Sequence, residues 1–130
     1  MRTIRLAAAM VALALPATAE LAQERGITEG LINVGIAYEI SEVCPEIDAR
    51  RFRGLRYLLA LQAAARDMGY SQAEIDAYVD DDAEKDRLEA IARDRLARMG
   101  APRGNVAAHC AVGRREVAGD TQVGRLLSPR

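Results

Sequence analysis

Cys44, His109 and Cys110 are the residues best suited to soft-ligand or nucleophilic chemistry, in a chain with two cysteines and a single histidine. A thiolate beside an imidazole can act as a nucleophile–base pair, and the same groups bind zinc. The spacing argues against both uses. His109 and Cys110 are adjacent, and consecutive helical residues point about 100° apart, so they cannot easily share a proton or a metal. The chain contains no C-x-x-C redox pair and no C-x-x-C-H haem attachment. Two cysteines and one histidine do not complete a zinc site. A Gly-rich phosphate loop, a nucleophile elbow and H-E-x-x-H are missing too. The expectation is a protein without catalytic residues, cofactor or bound metal.

Charge supplies the other candidates. Arg50, Arg51, Arg53 and Arg56 crowd one short stretch. They read either as a solvated helix face or as a guanidinium patch for an acidic protein or a phospholipid headgroup. Arg50, Arg53 and Arg56, with Tyr70 and Tyr78, form the expected interaction surface. Glu39 falls between two apolar lines of its helix, so an ion pair with Arg51 or Arg114 is expected at the edge of the core. The acidic run at 80–86 lacks the glycine and the glutamate of a calcium loop, and reads as a helix start.

The elements that would position these groups begin after a leader. Arg2 and Arg5 precede an apolar run from Leu6 to Leu15, then Pro16 and the small residues Ala17-Thr18-Ala19. This pattern reads as a secretory signal peptide cleaved after Ala19, which places residues 20–130 in the periplasm as one domain. Without Arg2 and Arg5, 16 basic side chains face 19 acidic ones, a net charge of −3. That balance excludes nucleic acid as a general partner. No second apolar segment follows, so the mature chain is expected to be soluble and without a transmembrane segment.

Trp is absent and Phe occurs once. Ala, Leu, Arg and Glu dominate, which favours an all-α fold, a small single-domain bundle of four to six helices. Ile32, Ile36, Ile40 and Val43 make one apolar line on a helix from Thr28 to Val43; Leu31, Val34 and Tyr38 make a second. Pro45 ends that helix. A second helix is expected from Glu46 or Ile47 to Met68. Its buried stripe would hold Phe52, Leu55, Leu58, Leu59, Leu61, Ala65 and Met68, and Gly69 would stop it. Ser71 and Glu74 spell a capping box for a short helix through Val79, with Ile75, Tyr78 and Val79 buried. The acidic run opens a fourth helix, which ends at Gly100. Asn105 caps a fifth, with Val106, Cys110, Gly113 and Val117 on one face. Val123, Leu126 and Leu127 close the chain with a terminal turn.

Two cysteines in an exported chain imply one disulfide more readily than free thiols, and only one intramolecular pairing exists. Intermolecular or redox-active cysteines remain open on the residues alone.

The stretches "GIAYEISEVCP" (35–45), "MGYSQAEIDAYVDDDAEKDR" (68–87) and "CAVGRREVAGDTQVGRLL" (110–127) resemble a domain-of-unknown-function family of small exported alphaproteobacterial proteins. The resemblance implies a helical exported protein with Cys44 and Cys110 paired. Genes of that family often lie near those for respiratory NADH dehydrogenase, complex I. The implied role is a non-catalytic accessory subunit or assembly factor on the periplasmic side of a membrane complex. The alternative is a periplasmic ligand carrier or small enzyme with a pocket between helices, lined by Tyr38, Glu39 and His109.

Overall fold

The longest helix is the hub of the structure. In the computed structural model, which describes residues 11–13 and 15–130, helix α2 (Arg25–Val43) follows a short helix α1 (Ala17–Gln23). Strand β1 (Ile47–Ala49), helix α3 (Arg51–Asp67), helix α4 (Gln72–Val79) and helix α5 (Asp82–Met99) come next. Helix α6 (Val106–Ala118), helix α7 (Gln122–Arg125) and strand β2 (Leu127–Pro129) complete the chain. Helix α2 packs against α1, α3, α5, α6, α7 and β1. The all-α expectation holds. The described residues contain seven helices rather than four to six, because α1 and the terminal turn α7 are helices in their own right.

The first apolar line of α2 forms the main core. Ile32, Ile36 and Ile40 meet Ala92 and Leu96 of α5, Cys110 and Val112 of α6, and Val123, Leu126 and Leu127 at the C-terminal end. Each such aliphatic side chain contributes roughly 1.5–3 kcal/mol on burial. A smaller core joins Leu21 of α1, Ile27 of α2, Ala65 of α3, and Ile75 and Tyr78 of α4.

The caps fall where the residue types ask for them. Ser71 and Glu74 form both hydrogen bonds of the capping box. The Asp81 carboxylate accepts the Glu84 N–H, so the acidic run does start a helix. The Asn105 side chain accepts the Ala108 N–H. Gly100, at φ 112°, ends α5 in the left-handed geometry open to glycine.

Three sequence expectations change. The second long helix begins at Arg51, not at Glu46 or Ile47, because residues 47–49 pair antiparallel with 127–129. Ile47 is pulled into the main core and leaves no room for a helical turn there. The broad apolar stripe of that helix is mostly exposed, and of it only Ala65 is fully buried. Val79, expected inside, is exposed as well, since α4 turns Ile75 and Tyr78 inward instead. The leader's basic residues Arg2 and Arg5 and residues 6–10 and 14 of its apolar run lie outside the described residues. Helix α1 spans the proposed cleavage position at Ala19.

Cys44 and Cys110 are joined by a disulfide that bridges 66 residues of sequence. Cys44 is fully buried and Cys110 is 6% exposed. The bond fastens the exit of α2 to α6. Nearby, Gly113 lets α6 approach, since a Cβ there would lie 2.6 Å from Ile47 Cδ1. Gly124 is more constrained: its Cβ would lie 2.0 Å from the backbone oxygen of Glu116. Two outcomes are expected. Replacing both cysteines by alanine should lower unfolding free energy by about 4 kcal/mol in urea titrations. Gly124→Ala should destabilise by roughly 1–3 kcal/mol through overpacking against backbone, read as a lower thermal midpoint.

Candidate interaction face

Helix α3 touches the body of the protein along one narrow side. Tyr57, Leu61, Ala64 and Ala65 face inward, and Gly30 of α2 admits the tip of Leu61, which would lie 2.6 Å from a Cβ at that position. Helix α5 packs on another side of α2, where a Cβ at Gly35 would lie 3.3 Å from that of Ala92. The second apolar line of α2 is therefore left between two neighbours. Leu31 and Val34 are half-buried and Tyr38 is exposed. They floor a groove with two apolar depressions of about 300 and 280 Å³. Leu55, Leu58 and Leu59 of α3 and Val79 of α4 wall the first. Leu88 and Ala92 of α5 wall the second, under a rim of Lys85, Glu89 and Arg93.

The ridge of α3 beside this groove is apolar and wet. Phe52 is 87% exposed, Leu55 54% and Leu59 52%. The expected arginine patch divides in two. The Arg50 Nε donates to the Leu127 carbonyl at 2.9 Å, and Arg53 Nη1 donates to the Arg125 carbonyl at 3.1 Å. Arg50 thus holds strand β2 and Arg53 the end of α7, as well as lining the surface. Arg51 stands near Asp48 and helps keep that carboxyl below its usual range, although the Arg130 hydrogen bond is the larger cause. Arg56 is exposed and engages no acidic side chain within ion-pair distance among the described residues.

The two tyrosines leave the proposed surface. Tyr78 is 5% exposed and donates to Glu84 Oε1 at 3.1 Å. Burial first, and the Glu84 carboxylate second, push its hydroxyl up to about 12. Tyr70 is half-buried and donates to Glu24 Oε1 at 3.0 Å. Both hydroxyls are thus committed to carboxylates: Tyr78 ties α4 to α5, and Tyr70, in the turn before α4, reaches Glu24 between α1 and α2.

The proposed ion pair is also re-partnered. Glu39 lies 3.7 Å from Arg93 of α5, while Arg114 pairs with Glu46. Arg51 starts α3, next to the Asp48 strand, whereas Glu39 faces α5; Arg114 lies on α6 beside the Cys44–Ile47 segment. Arg93 also reaches Glu89, one turn earlier on its own helix, at 4.0 Å. Tyr38, Glu39 and His109 share no cavity. Glu39 and His109 line a void of about 20 Å³, room for one water, and Tyr38 is outside it. His109 is buried, with Nδ1 2.7 Å from the Asn105 carbonyl. Glu46 and the two sulfurs lie within 4.8 Å of one another. Those sulfurs are bonded to each other, so neither is a thiolate ligand.

The fold and this face together define a small disulfide-closed helical domain with an apolar groove and an arginine-flanked ridge. Residues 19–128 match the Family of unknown function (DUF5333), and the chain belongs to that family. No curated protein and no solved structure matches the chain significantly.

The Tyr78 hydroxyl gives a pH dependence of known sign. Its folded pKa exceeds the unfolded value of about 10, so its contribution is complete below pH ~10 and is lost as pH rises toward 12. Tyr78→Phe should flatten the stability loss across that alkaline range by about 2 kcal/mol, measured by urea unfolding at several pH values.

Proposed function

We propose that the protein is a non-catalytic periplasmic interaction protein that docks a partner through α3 and the groove beside it. The observation that carries this reading is the exposed run of Phe52, Leu55 and Leu59 next to Arg56. Isolated domains rarely leave a contiguous apolar patch of this kind in water, and arginine with aromatic or aliphatic anchors is characteristic of protein interfaces. The cysteine–histidine chemistry that an enzyme would draw on is otherwise engaged. Both sulfurs are consumed in the disulfide and the imidazole is bonded to its own helix.

Export is supported by the disulfide, which persists in oxidising compartments. Val11, Leu13 and Leu15 of the leader are exposed, and the family match starts at Ala19, after the apolar run. Among the described residues no helix is long and apolar enough to cross a membrane. The partner drawn from the family resemblance is the membrane arm of respiratory NADH dehydrogenase, with this chain as an accessory subunit or assembly factor.

Affinity purification from native membranes in mild detergent tests the reading. Wild-type protein should recover subunits of that complex, and Leu55→Asp/Leu59→Asp should lose them while keeping its circular dichroism spectrum and thermal midpoint. Wild type recovered alone would remove the complex from consideration, and a leucine variant with undiminished recovery would remove α3 as the docking face.

A further inference from the structure

The bond at which the leader would be cut, between Ala19 and Glu20, lies inside a folded element. Helix α1 runs from Ala17 to Gln23, directly after Pro16. The Glu20 N–H, which belongs to that bond, donates to the Pro16 carbonyl at 3.2 Å, and the Ala19 N–H donates to the same oxygen at 2.9 Å. Ala17, Thr18 and Ala19 are half-buried, so the small residues that a signal peptidase reads are covered as well as coiled. Two residues past Ala19, Leu21 is 1% exposed and sits in the smaller core with Ile27, Ala65, Ile75 and Tyr78. Helix α1 packs on both α2 and α4. Just upstream the burial reverses, and Val11, Leu13 and Leu15 are exposed.

We propose that folding and leader removal exclude each other: the peptidase cuts the chain only before α1 docks, and a precursor that folds first keeps its leader. The reaction is a hydrolysis. Water adds across the Ala19–Glu20 amide, leaving a carboxylate on Ala19 and an ammonium on Glu20. A peptidase takes its substrate as an extended strand, so a helical, half-buried bond is reached only through local opening. Opening here has to unwind α1 and withdraw Leu21 from the residues of α2, α3 and α4 that enclose it. A precursor that folds first therefore presents Val11, Leu13 and Leu15 to solvent beside a closed cleavage site. This order of events rests on the leader being a signal peptide, as the proposed function takes it to be.

Order of addition to a purified signal peptidase tests this. The full-length chain, unfolded in urea with its disulfide intact, is diluted either directly into peptidase or first into buffer to refold, with peptidase added afterwards. Mass spectrometry follows the product that begins at Glu20. The chain met while unfolded should be cut, and the folded chain should be cut more slowly by about tenfold or more. Leu21→Ala and Ile75→Ala leave Ala17, Ala19 and Glu20 in place and lie outside the disulfide-bound main core. Each should speed cleavage of the folded chain by loosening the seat of α1. Equal rates for the two orders of addition overturn the proposal, as does a folded chain that neither variant makes easier to cut. Those results leave the leader reading standing. No product at Glu20 in either order overturns the cleavage site itself, and the proposal with it.

Discussion

The buried bond between Cys44 and Cys110 sets the course of the chain around it. It holds the end of α2 against α6, and Pro45 turns the backbone out of helical geometry immediately afterwards. The next residues are thereby delivered to the core as an extended segment, with Ile47 inside. That segment captures β2 through the register Ile47↔Pro129 to Ala49↔Leu127. Arg130 closes the pair with two hydrogen bonds to Asp48. The captured strand offers the Leu127 carbonyl to Arg50, the end of α7 just before it offers the Arg125 carbonyl to Arg53, and these bonds fix where α3 starts. A covalent link near the middle of the chain thus determines the placement of a helix that it does not touch.

Helix α2 divides the labour of the fold between its two apolar lines. The isoleucine line is consumed by the main core. The line of Leu31, Val34 and Tyr38 is left partly open, because α3 and α5 settle on either side of it without closing over it. Gly30 and Gly35 set how closely those two helices approach. The groove is therefore a product of packing, and its walls come from elements far apart in sequence.

Much of this was legible in the residues. Caps at Ser71 and Asn105, the helix start in the acidic run and the stop at Gly100 act through local hydrogen bonds, charge or backbone freedom, so residue type alone identifies them; that Asp81 is the cap within that run is set by the structure. The isoleucine line was equally plain, whereas the residues favoured a disulfide without excluding an intermolecular or redox-active pair, and the structure joins Cys44 to Cys110. The fate of the α3 leucines was not, because a stripe facing a core and a stripe facing a partner have the same period. The miniature sheet was hidden by its length: Ile-Asp-Ala and Leu-Ser-Pro are too short to show alternation. Glu39 was correctly placed at the edge of the apolar lines, but its partner depends on how α5 crosses α2. Tyr78 was read both as buried and as surface, and the packing of α4 on Leu21 and Ile27 decides for burial.

The narrow seat of α3 bears on motion as well as on recognition. With Ala65 as its single fully buried residue, this helix has little apolar attachment to lose when it lifts from the body. Elements so lightly anchored open at a small fraction of the free energy that global unfolding requires. The segment that presents the leucine ridge would then be the first to exchange its amide protons, while the disulfide-bound hub stays closed. Occupancy of the groove would slow that exchange, so ligation and rigidity become two readings of one equilibrium.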